Sequence, residues 1–149
     1  MKKTYIVLTL AILFNMSSLT SGETQKRKEI IGGMCEYRLY SGKIRVLDIK
    51  KTERSRLQAR MYGGPEYEGY EISYNFISNE AIEERFAEER IDEEQIFRFF
   101  NSWFPSRKYI ITHDIEVGRV YPAEMMVIQK GTCTPILIEV AGWERNISY

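Results

Sequence analysis

Histidine occurs once in this chain, at His113, and cysteine twice, at Cys35 and Cys133. That scarcity removes the His- and Cys-rich ligand sets of structural zinc sites. There is no CxxC pair, no HExxH helix and no Ser-centred nucleophile elbow before the histidine. His113 has the right chemistry for a general base near neutral pH. It sits in Thr112-His113-Asp114, between a helix-like and a strand-like segment, and reads as a surface residue. An excess of one charge is also missing, with 21 Lys and Arg against 21 Asp and Glu. That balance gives no electrostatic reason to expect nucleic acid or an anionic membrane as partner. Long apolar runs are absent too. The apolar run Tyr5 to Phe14 is ten residues, against the roughly 20 that a spanning helix requires. No metal and no cofactor is expected.

What is present begins with the layout of a secretory signal. Lys2 and Lys3 precede the apolar run, and the small polar stretch Ser17 to Gly22 follows it. Thr20 and Gly22 stand at −3 and −1 of a cut before Glu23, so residues 1–22 are read as a signal peptide. The competing reading is a retained anchor. Removal of Lys2 and Lys3 leaves 19 basic and 21 acidic residues, a net charge of 19 − 21 = −2. The remaining 149 − 22 = 127 residues suffice for one domain with its own core. We expect an exported protein, periplasmic or secreted, without a transmembrane segment once the signal is gone. In such an oxidising compartment Cys35 and Cys133 should pair. Closing a loop near 100 residues contributes about 4–5 kcal/mol in the chain-entropy model.

Along the chain, residues 23–34 read as a loose lead-in, 35–141 as a single domain and 142–149 as a C-terminal tail. Cys35 to Thr52 has strand character, with an interruption at Ser41-Gly42. Its alternation slips at Val46-Leu47, which predicts a bulge or bend. Arg54 to Met61 reads equally as more sheet or as a helical turn. Met61 to Gly69 is a loop, rich in glycine with one proline. Tyr70 to Phe76 alternates cleanly, placing Tyr70, Ile72, Tyr74 and Phe76 on a buried face and Glu71, Ser73 and Asn75 on a wet one. Ser78 or Asn79 is the expected cap of a helix over Glu80 to Arg90. A second helix is expected from Asp92 to about Trp103, started by a capping-box-like Asp-Glu-Glu-Gln and ended before Pro105. Ser106 to Thr112 reads as a further helical turn. Ile115 to Ile128 and Pro135 to Val140 return to strand. Strands, then helices, then strands predict an α+β fold. The expected sheet is mainly antiparallel, with four to five strands and a two-helix insertion, and a small OB-like open barrel is one form it can take.

Two clusters carry a functional reading beside a plain one. Eight acids between Glu80 and Glu94 suggest a cation site or a surface for a basic partner, but a calcium loop wants a flexible turn with glycine. Arg85, Arg90 and Arg98 are interleaved, and a solvated helix face explains the stretch better. Phe97, Phe99, Phe100, Trp103 and Phe104 are read as a core stripe with one aromatic, Phe104, left at its exposed edge. The basic run from Lys43 to Arg60, with Tyr37 and Tyr40 near it, has the make-up of an OB-like nucleic-acid surface. Export and the net charge oppose that reading. Asn146-Ile147-Ser148 fits a glycosylation acceptor, which we discount this close to the C-terminus.

Three segments belong together: Gly63-Gly64-Pro65-Glu66-Tyr67-Glu68-Gly69-Tyr70, Asn101-Ser102-Trp103-Phe104-Pro105 and Gly131-Thr132-Cys133-Thr134-Pro135. With them the chain resembles a group of small exported bacterial proteins in which a GGPxYEGY loop, an NSW[FY]P helix end and a GTCTP turn recur in this order. The likeness runs from Cys35 to about Val140. It implies no activity and no catalytic residues. It does make Tyr67, Tyr70, Trp103 and Phe104 the candidate binding surface, although the same turns equally suit a purely fold-forming role.

The resulting expectation is a non-enzymatic binding or inhibitor domain with an envelope or secreted protein as partner and no nucleic-acid role. The alternatives are a small carboxylate-dependent envelope hydrolase and a structural envelope component.

Overall fold

The computed structural model describes residues 28–31 and 35–145; the signal-like segment, its cleavage site and the Asn146 acceptor lie outside them. The described chain is an α+β fold built on one antiparallel sheet curled into a half-barrel, with a few short helices. Its strands are β1 (Lys28–Ile31), β2 (Cys35–Lys50), β3 (Glu71–Ser78), β4 (Gln95–Phe97), β5 (Val120–Lys130) and β6 (Ile136–Val140). The order across the sheet is β4-β3-β2-β5-β6. The long β2 is the spine. Its first residues pair with β1, its later ones with β3 on the same side, and β5 runs along its other side. Residues 28–31, expected as loose lead-in, thus form a hairpin strand.

The expected bulge is present. Val46 pairs with Tyr74 and Asp48 with Ser73, leaving Leu47 as the extra residue. Ser41-Gly42 does not interrupt the strand. Gly42 is required there, because a Cβ would lie 2.4 Å from the Ile77 carbonyl oxygen and 2.5 Å from the Phe76 ring. Because β2 is so long, its two halves bury opposite faces. Tyr40, Ile44 and Val46 join the main core with Ile72, Tyr74, Phe76, Met125 and Val127. Cys35, Tyr37 and Leu39 form a smaller cluster with Met126 on the other face. The Cys35–Cys133 disulfide closes this second cluster, with Cα atoms 6.2 Å apart, and the Tyr37 hydroxyl donates to the Thr134 carbonyl at 2.9 Å.

Several local expectations change. Residues 54–60 are helical, as α1 (Glu53–Leu57) followed by a 3-10 turn. Thr52 caps α1 in a reciprocal pair with Ser55. The second face of β3 is not wet: Glu71 and Ser73 are buried, and the Ser73 hydroxyl and Asn75 side-chain oxygen have no hydrogen-bond partner. The helix expected from Glu80 starts later, as α2 (Arg85–Ile91). Ser78 folds its hydroxyl into a local turn with Glu80 instead of capping, and Glu83 anchors the region by donating its backbone N–H to the Tyr40 hydroxyl. The expected helix from Asp92 to Trp103 does not form. Residues 95–97 become β4 and pair with β3, Ile72 opposite Phe97. Phe97 and Phe99 then point the same way at the period of a strand, and both are buried. The turn that follows places Ser102 at φ 68°. The turn over α3 (Arg107–Thr112) forms as expected, capped by Ser106. The strand expected from Ile115 begins only at Val120, after a turn at Gly118 (φ 83°) whose N–H bonds the Val46 carbonyl. In the segment read as a tail, Trp143 is buried against Phe97 and Tyr121.

Candidate functional site

The four aromatic residues picked from the sequence divide into three settings. Phe104 is buried, not exposed. Its ring lies between the guanidinium groups of Arg54 and Arg98, at 5.3 and 4.5 Å. Its backbone is gripped by Gln58, which accepts from the Phe104 N–H at 2.8 Å and donates to the Phe104 carbonyl at 3.2 Å. Gln58 is itself buried, and its amide also reaches the Tyr67 carbonyl at 3.4 Å. The Gly69 N–H bonds Ser55 and the Tyr70 N–H bonds Pro105. A Cβ on Gly69 would sit 2.5 Å from both Gln58 and Phe104. The glycine-rich loop and the Asn101–Pro105 segment therefore dock on each other around one buried amide. Gln58 carried no sequence signal, since only the fold brings it to Phe104.

Trp103 is half-buried against the main core. Tyr67 and Tyr70 do stay together, on a wide shallow groove that also has Lys51, Glu68, Arg107 and Lys108 along it. Lys51 and Glu68 are paired at 2.7 Å. That bond holds the Lys51 ammonium above its usual pKa and the Glu68 carboxyl below its own. Lys51 also lies 5.2 Å over the Tyr70 ring. The groove is open to solvent, and its central charges neutralise each other.

The other candidates are accounted for by structure. His113 ends α3 and rests on Tyr109, with ring centres 4.1 Å apart. Among the described residues no group of three His, Cys, Asp or Glu is placed to hold a metal ion. In the acidic stretch, Glu84 accepts the Tyr40 hydroxyl at 2.6 Å and pairs with Arg38 at 3.0 Å, while Glu83 also meets Arg38. Arg85 and Glu89 pair one turn apart. These acids secure the chain across β2.

The concavity that stands out is one the sequence did not mark. The outer strands of the half-barrel, β4 and β6, do not pair with each other. Between them, behind α2, lies a cavity of about 230 Å³. Tyr74, Phe76 and Met125 of the inner strands line it. Ala87, Arg90 and Ile91 face it from α2, at the one-turn spacing of a single helix face. Gln95 and Ile96 come from β4, Ile136 and Ile138 from β6, and Arg145 from beyond β6. No Asp or Glu lines it. Burial pushes the Tyr74 hydroxyl above its ordinary pKa, and the nearby Arg145 charge pulls it partly back. Tyr74 therefore stays a neutral phenol at physiological pH. In the sequence Arg90 drew notice only as a pairing partner for the acids around it and Arg145 drew none, because strand alternation and helix spacing mark apolar positions only. Comparison with protein-family models, with curated proteins and with solved structures finds no match.

Proposed function

We propose that this is an exported, non-enzymatic binding domain whose ligand seats in the cavity at the open seam of the half-barrel. One observation carries the reading: a concavity at the mouth of a curled sheet whose wall joins Phe76, Ile91, Met125, Ile136 and Ile138 to the polar side chains of Arg90, Gln95 and Arg145. Ligand sites recur in such mouths, and they combine an apolar lining with a few fixed polar groups. At about 230 Å³ it lies below the roughly 300–1,000 Å³ of drug-sized sites, which favours a small or slender ligand. The signal-like start and the disulfide support export. No helix among the described residues is long and apolar enough to cross a membrane. The hydrolase alternative has no paired carboxylates to work with in this cavity.

The test is titration of the oxidised protein with an apolar dye that fluoresces when shielded from water, such as N-phenyl-1-naphthylamine. Saturable one-to-one enhancement is expected. Ile136→Trp, which fills the cavity from its half-buried rim, should abolish it while the thermal transition remains cooperative. No saturable signal, or a signal indifferent to Ile136→Trp, would overturn the proposal.

A further inference from the structure

Arg145 is held unlike the paired arginines of the described chain. Arg38, Arg54, Arg85 and Arg119 each meet a carboxylate. Arg145 is half-buried and has none among the described residues. One of its terminal nitrogens, Nη2, donates to the Ile138 carbonyl at 2.6 Å. Its guanidinium lies 5.4 Å from the centre of the Phe97 ring and 5.9 Å from that of Phe100. A carbonyl, the Tyr74 hydroxyl and two ring faces orient the group without cancelling its charge. The neighbouring Glu144 is exposed, and what it contributes locally is its backbone carbonyl, which accepts the Tyr109 hydroxyl at 3.1 Å.

A guanidinium has five donors. The Ile138 carbonyl and the Tyr74 hydroxyl engage two of them, so three donors of the planar fork, the shape that grips a carboxylate through two bonds, stay available. A partly desolvated cation with no counter-ion among the described residues carries a cost that an incoming anion relieves. Arg90 adds a second positive charge from the α2 wall, and no carboxylate in the lining opposes either. Next to this polar end the walls are aliphatic and aromatic. The charge and the grease thus sit side by side in one concavity, within the span of a single molecule.

Accepting the seam cavity as the ligand site, we propose that its ligand is an amphipathic anion, a slender aliphatic chain ending in a carboxylate, with the carboxylate on Arg145 and the chain against Ile91, Met125, Ile136 and Ile138.

The experiment compares three probes of equal chain length on the oxidised protein by calorimetry: octanoate, octanol and octylamine. A bond to a charged group at this site should favour octanoate over octanol roughly 10- to 100-fold, with octylamine weakest. Arg145→Gln should erase the preference for octanoate while leaving octanol affinity in place. If that variant loses its fold with its Ile138 bond, the three-probe series on the unaltered chain still decides. Equal binding of octanoate and octanol would overturn the anion assignment and leave the cavity reading standing. Binding of none of the three would remove the cavity as a ligand site and the anion assignment with it.

Discussion

Glu71 shows how a single side chain can be read correctly in type and wrongly in place. The alternation of residues 70–76 put it on a wet face, yet it is 8% exposed. Two bonds make burial tolerable: the Thr52 hydroxyl at 2.6 Å and Arg54 at 3.0 Å. Burial raises its pKa, but those two donors and the Arg98 charge outweigh it and hold the carboxyl below its ordinary 4.5. A folded carboxyl that releases its proton more readily than the unfolded one stabilises the fold above the unfolded pKa. That contribution is lost as pH falls through the lower, folded value. Glu71→Gln should therefore cost about 1–3 kcal/mol at pH 7, with the gap to the unaltered protein closing below about pH 4.5. Urea midpoints from pH 7 to pH 3 measure this; a gap independent of pH would contradict it. Phe104 is the matching case among the aromatics. Its place before Pro105 suggested an exposed edge, and its burial depends on Gln58, 46 residues earlier. No local pattern encodes such a partner.

At the level of elements, periodicity found what repeats and missed what docks. The strand over Cys35–Lys50 and its bulge followed from alternation and from one slip in it. Residues 92–103 satisfied two periods together. Ile96, Phe99, Phe100 and Trp103 mark a helical stripe, while Phe97 and Phe99 mark a strand. The unpaired side of β3 decided between them, because a strand there finds backbone partners that an isolated helix turn cannot offer. The outcome is a three-residue strand at the rim of the sheet. Next to it, α2 is seven residues long and has no side-chain cap, since Glu84 spends its carboxylate on Tyr40 and Arg38. Neither element is stable by itself. Amide exchange should therefore be slowest along β2 and its β5 partners and clearly faster in β4 and α2. Protection in β4 equal to that in β2 would contradict this ranking. Since β4 and α2 form two walls of the seam cavity, their amides should also be the ones that slow when a ligand binds.

For the molecule as a whole, the α+β class and the antiparallel sheet were legible from the order of elements, and the disulfide from two cysteines behind a signal-like start. The half-barrel's open seam was not, because it depends on which strands fail to meet. The disulfide spans 98 residues, so replacing both cysteines with serine should lower stability by up to about 4–5 kcal/mol. Urea denaturation of the Cys35→Ser/Cys133→Ser protein tests this, and an unchanged midpoint would show that the second core cluster holds without its bridge. The placement of β2 has a further consequence, in time. The spine strand comes early in the chain, and the partner along residues 36–45 of its other side, β5, is the last strand but one. A ribosome or translocon delivers β2 with only its hairpin and β3 available, so one edge of the spine must wait bare until residues 120–130 emerge. Folding should accordingly be slow for a chain of this size, as pairings distant in sequence always are. During that wait the exposed β2 edge is the segment most open to pairing with the wrong chain.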